Sequence, residues 1–268
     1  MSILTPARLL QLSSAPQLQS SWYFIAAATL TICNEPGEIP SVFHLALKQS
    51  QKIPLNLSVA EDSINFSKHL IYKNSIGEIE KKIENLNSDL VDEESNFKNQ
   101  FEVAQKTREA LLKCSALGGI PKSINSLMIL KNSTPLQLLE RNENRDNSIS
   151  NITNERERGR QYWDQVYGKV SSRVIGQMNN AYPDLWSYAR DHVYSPLLSF
   201  SDILDPRETS LVVVACLIPL DVNPQLKGHL KGALNNGCSK EEISSARALS
   251  IQIAEWCGYK WKGNIVSL

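Results

Sequence analysis

The chain has 268 residues, room for one large domain or two modest ones, and its 28 basic side chains are matched by 28 acidic ones. That balance supplies no global field for nucleic acid, and no apolar run approaches the roughly 20 residues that span a bilayer. Five cysteines (33, 114, 216, 238 and 257) include no C-x-x-C pair. The odd count argues against a disulfide scaffold or zinc site and fits a reducing, intracellular setting.

Thr5-Pro6 opens a first helix with leucines at 9, 10 and 12. The first 34 residues carry one Arg and no acid, a composition that a mitochondrial presequence also has, so both readings stand. Trp22 to Cys33 is an apolar run of buried-helix length. Phe24–Leu47 can be laid on Leu211–Leu234 at an offset of 187 without a gap, matching Ala28 to Ala215, Leu30 to Leu217 and Ala46-Leu47 to Ala233-Leu234. Arg108–Gly119 matches Arg247–Gly258 at an offset of 139. One insertion of 48 residues, at about 50–97, reconciles the two offsets. Within it Ile79, Ile83 and Leu86 share one helix face among lysines and glutamates, as in a solvated surface helix or a flexible excursion.

Gln100–Leu130 has helical periodicity broken at Gly118-Gly119-Ile120-Pro121, and Asn142–Asn154 is polar without apolar period, as in a linker. The expected architecture is therefore all-α, with two degenerate helical units in one chain. Residues 1–131 form the first unit with its insertion, 132–155 the linker and 156–268 the second unit. Tyr162, Trp163, Val166, Tyr167 and Val170 run as a ladder of core or subunit-interface type. Tyr182–Phe200, with Trp186, Tyr188, His192 and Tyr194, is expected to wall the mouth of the second unit.

Residues 208–258 are the most clearly punctuated. Glu208 leads an apolar helix that breaks at Pro219–Pro224, and Gln225–Leu234 carries His229. Asn235-Asn236-Gly237 supplies a C-terminal stop, and Ser239 with Glu242 has capping-box spacing before a third helix. Arg207-Glu208, His229, Ala233-Leu234, Asn236-Gly237, Glu241-Glu242-Ile243 and Cys257-Gly258, with an Arg158-Gly159 lead-in through Tyr167-Gly168, resemble the carboxymuconolactone decarboxylase family. The relatives of that family include the alkylhydroperoxidase D-like proteins. The resemblance covers roughly 155–268 and implies an all-α fold that assembles into trimers or hexamers.

It also implies that Glu208 and His229 line a small cavity between helices. An imidazole there could act as acid/base with the carboxylate as its orienter, while Arg207 or Lys227 holds a substrate carboxylate. The reaction so implied is decarboxylation, or related acid/base chemistry, on a small lactone-like substrate. The alternatives are a helix-start acid favoured by the dipole and a satisfied interior histidine, in a non-catalytic oligomeric scaffold or binding protein that keeps the fold. Val222 and Gln225 stand where hydroperoxidase-type relatives carry C-x-x-C, which removes that thiol chemistry. In the first unit Val42 and Ser21 stand where His229 and Glu208 stand, so that copy looks catalytically empty. No cofactor or metal is expected, and the expected partners are a small substrate and further copies of the chain. Val266-Ser267-Leu268 ends in Leu without the basic middle residue of a peroxisomal tripeptide, leaving mitochondrial matrix, peroxisome and cytoplasm open.

Overall fold

The structure is a computed structural model that describes residues 2–75, 94–146 and 148–268. Among these residues the regular structure is helical throughout, with no strand. The Ile79, Ile83 and Leu86 stripe lies outside the described residues.

Helix α1 (Pro6–Ser13) begins where Thr5 accepts a hydrogen bond from the Arg8 amide, with Pro6 preset for the first turn. Helix α2 (Trp22–Ile32) carries no charge, and every residue in it is buried. A helix apolar on all sides has no face to offer water and must sit centrally. It does: α2 packs against α3 (Ile39–Ser50), α5 (Glu94–Lys113), α10 (Pro206–Leu217) and α12 (Lys240–Trp256). Helix α10 is its partner in the second half, buried continuously from Thr209 to Leu217. One hydrophobic core thus runs through both halves, and Leu4, Leu9 and Leu12 of the amino-terminal stretch belong to it.

Part of the expected insertion is built in rather than excursive. Helix α4 (Leu57–Ser75) rests on α1 and α3 and buries Ala60, Ile64 and Leu70. Helix α6 (Ile120–Ser133) closes the first half. The polar stretch after it is a strap rather than a free linker. Leu138 is fully buried, Glu140 pairs with Arg108 at 3.2 Å, and Arg145 chelates Glu109 at 2.6 and 3.2 Å while donating to the Pro196 carbonyl. The Arg145 guanidinium also lies 4.1 Å from the centre of the Phe200 ring. Below it Lys113, with no exposed surface, donates to the Phe200 carbonyl and Thr209 Oγ1, each at 2.7 Å, and to the Leu198 carbonyl at 3.3 Å. Burial pushes its pKa down to about 8. Buried charges are tolerated where such bonds replace the lost water.

Helix α7 (Ile152–Tyr167) starts inside the polar run, followed by α8 (Ser171–Ala181) and α9 (Pro183–Tyr188), which continues as a π-helical segment at Ala189–Leu198. The Arg158-Gly159 pair has a packing explanation. A Cβ on Gly159 would lie 2.5 Å from the Ser195 Cα, so only glycine lets α7 approach the π-helical segment this closely. Arg158 fixes the same contact through Ser199 Oγ at 3.0 Å and the Ser195 carbonyl at 3.1 Å. Helix α11 (Asn223–Asn235) meets α7 in the same way at Gly232, where a Cβ would lie 2.7 Å from Val166 Cγ1. The expected stop and start follow, with Gly237 at φ 93° and a complete Ser239–Glu242 capping box opening α12.

Candidate functional site around His229

His229 sits in the second turn of α11, on the side that faces α7. Its Nε2 lies 3.5 Å from the Tyr167 hydroxyl, which in turn lies 3.4 Å from the Tyr194 hydroxyl on the π-helical segment. The Tyr167 ring stands edge-on to the imidazole at 5.9 Å, and Trp163 packs behind Tyr167 and Tyr194. The His229 residue is half-buried and Tyr194 is buried. Burial pushes the imidazole pKa down to about 4, so the ring is neutral near pH 7. Burial also raises the Tyr194 and Tyr167 hydroxyls above their ordinary values, opposed at Tyr167 by the bond to Tyr194. The site is therefore a neutral imidazole on two protonated phenols. Such a group can accept or return one proton, with Tyr167 setting the ring's orientation.

The other three nominated residues do not join it. Glu208 completes a capping box with Asp205, accepting from the Asp205 amide at 3.1 Å, and pairs with Lys106 of α5 at 2.7 Å. Lys106 also holds Glu102 at 2.8 Å. Burial works against the charge on Lys106, but the two carboxylates outweigh it and raise its pKa. Among the described residues no hydrogen bond or ion pair links Glu208 to His229, and burial alone accounts for the shift of the histidine. Glu208 therefore does not orient His229, because its oxygens are engaged at the start of α10 and on α5. Arg207 is exposed and pairs with Glu242 at 2.7 Å, holding the start of α10 to the start of α12. Lys227 is exposed and lies two positions before His229, a spacing that puts the two side chains on different helix faces.

The carboxymuconolactone decarboxylase family pattern matches residues 186–261. The chain is 38% identical to Peroxisomal protein 2 of Saccharomyces cerevisiae over 293 aligned residues, covering 99% of each protein. With Peroxisomal protein 2 of Schizosaccharomyces pombe it shares 43% identity over 163 residues, 61% of this chain and 75% of that one. The chain belongs to the carboxymuconolactone decarboxylase family. No solved structure matches it. The matched residues of this family member take in the π-helical segment, α10, α11 and α12, hence Tyr194, Glu208 and His229 but not Tyr167.

Outside that stretch the first half carries a cleft of about 250 Å³ lined by Tyr23, Gln49, Asn99 and Glu102 among others. Burial, then the nearby Glu208 and Glu102 carboxylates, raise the Tyr23 hydroxyl well above its ordinary value. Neither His229 nor Glu208 lines this cleft. Sequence reasoning assigned Tyr167 to an aromatic core ladder and did not consider Lys106. The position of Tyr167 one turn after Trp163 was the available signal, whereas nothing local marks a lysine 102 residues from its carboxylate. Among the described residues no cluster of His, Cys, Asp and Glu could hold a metal ion, and no helix is long and apolar enough to cross a membrane.

Proposed function

We propose that this family member is a self-associating helical scaffold or binding protein that keeps the module and has lost its convergent site, and that it works in peroxisomes. The observation that carries this reading is the engagement of Glu208 and Arg207 in structural contacts, with Lys227 on another face from His229. Family-type acid/base chemistry needs those groups free around one substrate. The compartment rests on the name of the two yeast relatives, Peroxisomal protein 2.

Self-association is supported by exposed apolar side chains. Ile120, Ile124 and Met128 are spaced by four on α6 and are all more than half exposed. Tyr182, Leu185 and Tyr188 form a second exposed apolar group around α9. We read the chain further as two degenerate copies, since α2 and α3 cover the stretch aligned with α10 and α11. Light scattering on the purified chain tests self-association. The mass should be a multiple of 30.0 kDa and fall on Ile124→Glu with Met128→Glu; a monomer before substitution would contradict it.

One observation favours a second reading. The neutral, half-buried imidazole with a tyrosine hydroxyl at its Nε2 suits proton transfer, with His229 as acid/base and Tyr167 as its orienter. The substrate class that the family suggests is a small carboxylated lactone. As carbon dioxide leaves, the neutral imidazole would relay a proton from water to the enolate carbon, ending neutral again with hydroxide left in solvent. Arg207 could hold the substrate carboxylate only by releasing Glu242. Carbon dioxide release from a panel of lactone acids separates the two readings. Turnover that disappears in His229→Ala and falls in Tyr167→Phe would favour the enzyme, whereas the scaffold gives none.

A further inference from the structure

Two cysteines from each half of the chain stand opposite one another, Cys114 with Cys216 in sulfur contact and Cys33 with Cys257 at neighbouring helix ends. Cys114, at the end of α5, and Cys216 on α10 have their sulfurs 3.5 Å apart and are both fully buried. Cys33 caps the carboxyl end of α2, and Cys257 caps the carboxyl end of α12. The two helices pack along each other, and their ends are tied where Tyr259 donates to the Ile32 carbonyl at 3.4 Å. Lys122 donates to the same carbonyl at 2.6 Å, bringing a positive charge to this end. Cys33 is buried and Cys257 is half-buried.

We propose that Cys33 and Cys257 form a redox-active dithiol which a hydroperoxide converts into a disulfide stapling α2 to α12. The thiols divide the work by environment. The neighbouring Cys33 thiol, against the opposing effects of burial and of the Glu35 and Glu38 carboxylates, lowers the Cys257 pKa and favours its thiolate, while Cys257 and burial keep Cys33 protonated. The Cys257 thiolate attacks one peroxide oxygen. An S–O bond forms, the O–O bond breaks, and the other oxygen leaves with a proton as water or alcohol. The Cys33 sulfur then attacks the sulfenic sulfur, giving up its proton as hydroxide departs, so a second water leaves and the S–S bond forms. The two sulfurs supply the two electrons that reduce the peroxide. The Cys114–Cys216 pair is the internal contrast, since burial raises the Cys216 thiol and neither sulfur reaches solvent.

Hydrogen peroxide applied to the reduced full-length chain tests this proposal, with alkylation and non-reducing peptide mass spectrometry as the readout. Two of the five thiols should be lost, a linked peptide should contain residues 33 and 257, and the melting temperature should rise by several degrees. Cys257→Ser should abolish both the thiol loss and the melting shift. In Cys33→Ser, Cys257 should still oxidise but without a crosslink. Because the wild-type protein alone gives the linked peptide, a poorly folded variant leaves the proposal testable. A link between Cys114 and Cys216, a link only between two chains, or no thiol loss would overturn it.

Discussion

The two halves of the chain each carry a histidine on the helix that follows a largely buried helix, and the two are used differently. His44 on α3 is sealed, 3% exposed, with Phe43 and Phe66 edge-on at 5.4 and 4.7 Å and its Nε2 unpaired. His229 on α11 keeps part of its surface and meets Tyr167. Burial pushes both pKa values down to about 4. A depressed imidazole is thus no mark of chemistry by itself. What separates the two is access and the hydroxyl at the ring nitrogen.

The halves are joined by charge as well as by apolar packing, and the largest expected effect lies at that joint. Arg145→Ala leaves Glu109 buried with only Lys113 nearby, at 3.8 Å, and should cost about 3–5 kcal/mol in urea unfolding. Because one core serves both halves, unfolding should remain a single transition by circular dichroism and tryptophan fluorescence alike. Two separated transitions would mean that the halves are independent.

Lys113 sharpens the same point through pH. Its folded pKa of about 8 lies below the ordinary 10.5, so the unfolded chain binds more protons between those values. Stability should therefore rise as pH increases from about 8 to 10.5, by an amount on the order of 3 kcal/mol from this group. The rise should be missing in Lys113→Met, and equal slopes in the two proteins would refute the assignment.

Smaller still is Glu208→Gln. It removes a carboxylate from a helix start and from Lys106, and about 1 kcal/mol should be lost. The cost should shrink to the helix-start share when Lys106 is already methionine. A Glu208 variant with wild-type stability would mean that its role lies elsewhere.

Much of this fold was legible because its signals are local. The Ser239–Glu242 box, the Gly237 stop, the Thr5-Pro6 start and the uncharged run from Trp22 all act within one or two turns. The misread features depend on residues far apart in the chain. The 132–155 stretch is polar by composition, yet its Arg145 and Glu140 find buried or half-buried partners on α5. Helix α4 looked peripheral because its apolar residues are few, but Ala60 and Ile64 meet α1 and α3. The proposed pairing of Glu208 with His229 ignored competition from Lys106, which approaches from another helix. Cys33 and Cys257 likewise belong to helices at opposite ends of the sequence.

The separation of Glu208 from His229 is tested most directly by NMR titration of the His229 imidazole in the wild-type protein and in Glu208→Gln, assigned with His229→Ala. A neighbouring carboxylate would raise the imidazole pKa, and its removal would lower it again. The structure predicts titration near 4 in both proteins, with no difference between them. A wild-type value at or above 6.5 that falls in Glu208→Gln would contradict it and restore the two side chains to one site.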